Sequence, residues 1–165
     1  MAITEMEDNN ILDLDRLFRE AKGKPVEVDG RSLIRLDRFA LPSKEATLNF
    51  SFIKTNSEWK QGFILKTKGV FKIEETQNNV KDAIVFWEDT APKDFTVNVS
   101  SKDGQLLVYN VWDFGDGVTQ AWHNGAAMMV EQIDETKKIY NCNDGHPNLS
   151  LDNLIFCMSW KNDVF

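Results

Sequence analysis

From residue 24 onward, apolar and polar side chains alternate in short runs separated by turn residues, a pattern that predicts strands almost to the C-terminus. In 47–53, Leu48, Phe50 and Phe52 alternate with Asn49 and Ser51, and Phe95, Val97 and Val99 repeat the pattern in 94–99. Asp29-Gly30, between runs 25–29 and 32–36, predicts a tight hairpin. Runs 62–66 and 70–74 flank Thr67-Lys68-Gly69, which predicts a second hairpin. The unbroken apolar run 83–87 predicts a central strand buried on both faces. Further strands are expected at 105–112, 118–122, 127–133, 138–142 and 154–160, with 54–60 as a long loop. Ahead of them the period changes. Leu14, Leu17, Phe18 and Ala21 fall at helical spacing, which predicts an amphipathic helix within 9–23 that ends at Lys22 and Gly23. Residues 1–8 are read as a mobile acidic tail.

About ten or eleven short strands with turn chemistry between them, and no βαβ alternation, specify an all-β domain. The expectation is a two-sheet, jelly-roll-like β-sandwich over 24–165 with one short N-terminal helix; an up-and-down β-barrel is the alternative. A chain of 165 residues with 42% hydrophobic content can bury one good core but not two.

Charge and cysteine usage narrow the function classes. Acidic residues outnumber basic ones, 26 to 19, for a net charge of −7, which argues against nucleic acid, because phosphate neutralisation needs a basic face. No apolar run is long enough for a helical membrane span and the N-terminus is acidic, so no membrane partner is expected and the expected location is the cytoplasm. Cys142 and Cys157 are too few for a disulfide framework and are read as thiols.

Candidate chemistry concentrates in two polar loops. The first, Asp113-Phe114-Gly115-Asp116-Gly117, lacks the ligand ladder of a calcium loop and reads as a Gly-rich turn. The second, 141–148, contains Asn143-Asp144-Gly145-His146-Pro147, where the residue before proline is held extended and projects its imidazole. Asn110 and Trp112 share one face of a strand, and Trp122, His123 and Asn124 follow the first loop. Trp112 and Trp122 are expected to form an aromatic platform beside Asp113, His123 and Asn124, of the kind that stacks a sugar ring. Burial of both tryptophans in the core is the competing reading. The ligand-binding candidates are therefore Asn110, Trp112, Asp113, Trp122, His123, Asn124 and His146. No catalytic or metal-ligand motif and no cofactor fingerprint is present. Cys142 near Asp144 and His146 suggests a thiol nucleophile only if the fold activates it.

The runs VYNVWDFGDGVTQAWHNGAAM and YNCNDGHPNLSLDNLIF resemble segments of uncharacterised small bacterial cytoplasmic proteins. That resemblance covers about a third of the chain, residues 108–156, and implies no reaction, ligand or functional residue. Three function classes follow. The first is a non-catalytic binding module for a polar small molecule or carbohydrate at the loop end. The second is an acidic, immunity- or inhibitor-like protein that meets a basic protein partner, with 5–15 among its acidic runs. The third is a metal-dependent or His/Asp hydrolase using His123, His146, Asp113 and Asp144. The absence of catalytic motifs favours the first two over an enzyme, and unpaired strand edges leave a homodimer open.

Overall fold

Residues 13–161 are described by a computed structural model of the chain. The expected acidic tail at 1–8 and the start of the expected helix lie outside them. Helix α1 (Leu14–Glu20) starts at Asp13, whose carboxylate accepts a hydrogen bond from Arg16 N at 3.1 Å. It ends where Lys22 and Gly23 turn left-handed, with φ of 55° and 82°. Its apolar face packs in cis: Leu14 and Phe18 are buried with Val26, Val28, Leu33, Ala127 and Leu151.

Strands β1 (Val26–Val28) and β2 (Arg31–Leu33) form the predicted hairpin. Positive φ at both Asp29 and Gly30 gives the mirror-image turn that matches strand twist. The other nine strands are β3 (Asp37–Ala40), β4 (Glu45–Thr55), β5 (Lys60–Ile73), β6 (Asn78–Trp87), β7 (Asp94–Ser101), β8 (Gln105–Asp113), β9 (Ala127–Asp134), β10 (Lys137–Asn143) and β11 (Leu154–Trp160). They form one continuous antiparallel sheet in the order β3-β8-β5-β7-β4-β11-β10-β9, with β6 also on β5, curled strongly into a half-barrel. The all-β class with one short helix is as expected. Nine strands in one curled sheet, beside the β1–β2 hairpin, make up that class.

Aromatic packing shows how the curl closes over its core. Phe63 of β5 stacks on Phe156 of β11 at 4.1 Å and 9°, and Phe156 stacks on Tyr140 of β10 at 4.6 Å, although β5 and β11 are not neighbours in the sheet. The segment 34–37 ties the two edges. Ile34 exchanges backbone hydrogen bonds of 2.9 and 2.7 Å with Met128 of β9, and Asp37 of β3 accepts from Lys138 and Tyr140 of β10 at 3.0 and 2.5 Å. Burial drives the Tyr140 phenol well above its ordinary range, and the Asp37 carboxylate adds to the effect.

Several strand expectations are corrected. Thr67-Lys68-Gly69 is not a hairpin turn but a bulge inside the continuous strand β5, where Lys66 pairs with Ala83 and Val70 with Lys81. The turn falls instead at 74–77. Strand β6 is not buried on both faces: in the apolar run 83–87 only Phe86 is buried, because β6 has β5 as its sole neighbour. Residues 118–122 are not a strand and make a single bridge, Gln120 to Trp112. Of the expected strand 32–36 only 32–33 belong to β2, Ile34 makes an isolated bridge to Met128, and β3 at 37–40 was not predicted; the loop expected at 54–60 shrinks to 56–59 because β4 pairs with β11 as far as Thr55.

Candidate functional site

At the C-terminal end of β8, the loop after β10 folds against the loop between β4 and β5. Asn143, completely buried, organises the first of them. Its amide donates to Gly125 O at 3.0 Å and His146 O at 3.2 Å, and its carbonyl accepts from Ser150 N at 2.9 Å and Leu151 N at 3.2 Å. These bonds supply the partners that backbone groups in a buried loop require. Gly145 allows the close approach that follows, since a Cβ there would lie 2.9 Å from the Trp112 ring.

Asp144 is buried to the last atom and accepts four hydrogen bonds. Oδ2 receives Ser57 Oγ at 2.7 Å and Gln61 Nε2 at 2.9 Å; Oδ1 receives His146 N at 2.9 Å and lies 2.6 Å from His146 Nδ1. A buried carboxylate is tolerated only with such a set of donors. The other ring nitrogen of His146 is 2.8 Å from Glu58 Oε1, and the ring stacks on Trp59 at 3.7 Å and 21°. Phe114 meets Trp59 edge-on at 4.5 Å. An imidazole between two carboxylates satisfies both only as the imidazolium. Burial pulls the His146 pKa down, but the hydrogen bonds and charges of Asp144 and Glu58 outweigh it and hold the pKa above the ordinary 6.5.

Beside this relay lies a cleft of about 250 Å³ lined by Asn56, Ser57, Glu58, His146, Asn148 and Ser150, with Asn153 at its base. On the paired strands β5 and β8, Gln61 Oε1 and Trp112 Nε1 are buried without a hydrogen-bond partner among the described residues. Such orphaned atoms cost about 1–3 kcal/mol each and are few in folded proteins.

Of the residues expected at a site, only His146 lines this cleft. Asn110 is buried and supports the loop by donating to Asn143 O at 2.9 Å. Trp112 has no exposed surface and Trp122 lies elsewhere, so the expected aromatic platform does not form. Trp122, 45% exposed, packs on Tyr109 at 4.4 Å and donates to Arg35 O at 3.0 Å. Asp113 closes its own turn, accepting from Gly115 N at 2.7 Å and Gly117 N at 3.2 Å. The Gly115 N–H bond, against an opposing effect of burial and with help from Gly117, holds its carboxyl below the usual range. His123 bonds Gln120 at 2.8 Å and meets the edge of Trp112, and Asn124 offers its carbonyl to Arg35 at 2.7 Å. The two histidines therefore share no hydrogen-bond partner among the described residues. Cys142 is not an available nucleophile, because complete burial pushes its thiol well above the ordinary range. Among the described residues no group of three or more His, Cys, Asp or Glu side chains is placed to hold a metal ion.

Ser57, Glu58 and Trp59 escaped the sequence reading because 54–60 looked like a plain polar connection, and Gln61 falls between that loop and the run 62–66. The available signal was a tryptophan beside a carboxylate in a loop, where a large aromatic ring needs a packing partner. No protein-family model matches the chain, and comparison with curated proteins and with solved structures also found no match.

Proposed function

We propose that the protein is a non-catalytic binding module for a polar small molecule, a carbohydrate or polyol, seated in the cleft between 56–58 and 146–153. The observation that carries this reading is a concavity lined only by hydrogen-bonding side chains, with the Trp59–Phe114 pair at its flank. Glu58 is 74% exposed and uses Oε1 on His146, which leaves Oε2 to accept from a hydroxyl. The cleft volume, about 250 Å³, suits a small ligand, on the order of one sugar ring. Hydrolysis gains no support from the geometry, because both nitrogens of His146 face carboxylates and the Ser57 hydroxyl donates to Asp144 rather than to the imidazole. Acidic charge and free thiols accord with the cytoplasm.

Thermal unfolding against a panel of mono- and disaccharides and polyols tests the proposal. A ligand that raises the melting temperature should bind about tenfold more weakly to Glu58→Gln, the loss of one charge-assisted hydrogen bond. A ligand whose affinity is unchanged in Glu58→Gln and in Asn148→Ala would place binding elsewhere, and no response to the panel would overturn the carbohydrate reading.

A second reading, an acidic surface that meets a basic protein, is supported by exposed Ile133 between Glu131 and Glu135 at the β9–β10 turn. Binding of a basic protein that is insensitive to both salt and Ile133→Asp would sink it.

A further inference from the structure

A second and larger concavity, about 1060 Å³, lies at the opposite end of β8, at the corner where β5 passes from pairing with β8 to pairing with β7. Strand β5 pairs with β8 as far as Lys66 and with β7 from Gly69, so the two neighbours diverge around Thr67 and Lys68. On its other side, three residues of β5 oppose Asp82 alone, which adopts φ of 69°. Buried hydroxyls tie the corner together. Thr67 Oγ1 lies 2.7 Å from both Gln105 O and Ser101 Oγ, and Lys102 N donates to Lys68 O at 2.8 Å.

Five cations converge on this frame: Arg38 from β3, Lys66 and Lys68 from β5, Lys81 from β6, and Lys102 from the β7–β8 turn. Two carboxylates accompany them, Asp82 and Asp103. Asp103 already accepts Gln105 N at 3.0 Å and Ser101 Oγ at 3.2 Å and reaches Lys68 at 4.0 Å. Among the described residues, Arg38, Lys66, Lys81 and Lys102 make no ion pair. In a chain of net charge −7, a concentration of unpaired positive charge in one concavity is opposite in sign to the rest of the molecule. Its walls focus the field toward an anion. Leu107, Val70 and Ala83 provide an apolar floor. The rim carries an exposed aromatic ring, because Lys66 Nζ lies 5.5 Å from the centre of Tyr109 and 5.8 Å from that of Trp122.

We infer that this groove binds a small organic polyanion with two or more phosphate groups, its phosphates among the five cations and its flat moiety against Trp122. Cations on four separate elements cannot all reach a single phosphate, which is why the geometry points to several anionic groups. The combination of charge with an adjoining ring points to a nucleoside polyphosphate rather than to inorganic phosphate. This site shares no residue with the cleft at Glu58 and His146, so it stands or falls separately.

Isothermal titration at low salt with ATP, inorganic triphosphate and inorganic phosphate tests the inference. The full chain should bind ATP and triphosphate at least about tenfold more tightly than phosphate, with affinity falling as salt rises. Lys81→Gln with Lys102→Gln, both on exposed side chains, should weaken triphosphate about tenfold or more while Glu58→Gln leaves it unchanged. Trp122→Ala should weaken ATP but not triphosphate. Absence of binding by either polyphosphate, or affinity unaffected by the double lysine change, would overturn the site. Equal binding of ATP and triphosphate with no effect of Trp122→Ala would overturn the aromatic contact, and tighter binding of an oligonucleotide than of ATP by more than about tenfold would overturn the small-ligand assignment.

Discussion

At the C-terminal end of β8, Asp144 accepts four hydrogen bonds and His146 sits between two carboxylates, whereas at the N-terminal end four cations line a groove without an ion-pair partner among the described residues. The difference follows from burial. A carboxylate with no solvent contact must be paired or the loop does not fold, so the donors around Asp144 are part of the architecture. Arg38, Lys81 and Lys102 are exposed, water solvates them, and folding does not require a partner for them. Charge placed by folding is found in the first region. Charge that folding does not explain is found in the second, and that makes the second informative about ligands.

Substitutions can break this contrast, the strongest first. Asn143→Ala removes a side chain that bonds His146, Ser150 and Leu151 of the loop after β10 and ties it to Gly125 O, and should lower stability by about 4 kcal/mol in chemical denaturation. A loss below about 1 kcal/mol would mean that the loop rearranges without it. Each region contains a glycine whose added Cβ would run into backbone: at Gly125 it would lie 1.8 Å from His146 O, and at Gly69 1.8 Å from Ser100 O. Gly125→Ala and Gly69→Ala should each cost about 3 kcal/mol, with Gly125→Ala alone disturbing the His146 proton resonances. If Gly69→Ala is neutral, the β5 corner is more pliable than its backbone contacts indicate.

The smallest effect concerns pH. The His146 pKa is higher in the folded state, so the stability its charge contributes is complete below the ordinary 6.5 and is lost as pH climbs through the raised value. The difference in melting temperature between the protein and His146→Gln should therefore be larger at about pH 6 than at about pH 9. A difference that is constant or grows with pH would show that the imidazole is neutral between Asp144 and Glu58.

Much of the framework was legible because its signals are local. Alternation placed Phe95, Val97 and Val99 on the buried face of β7, Asp29-Gly30 marked the hairpin, and the Leu14–Phe18 spacing marked a helix with one covered face. Local signals also misled. Thr67-Lys68-Gly69 has the composition of a turn, but pairing of β5 with three neighbours stabilises a bulge there. The apolar run 83–87 has the composition of a central strand, yet a strand's place in the sheet depends on what lies beyond it. Trp112 and Trp122 read as a pair and were separated, one to the core and the other to the outer face over Tyr109.

By itself the sequence determined the all-β class, the amphipathic helix, the hairpin at Asp29-Gly30, and the loop that brings Asp144 next to His146, since these depend on side-chain period and on contacts within a few residues. The curl of one sheet, the meeting of Glu58 with His146 across 88 positions, and the gathering of five cations at the β5 corner were decided only by tertiary structure. The physical reason is that long-range pairing is selected by the packing of the whole aromatic core, and no local window of residues contains that energy.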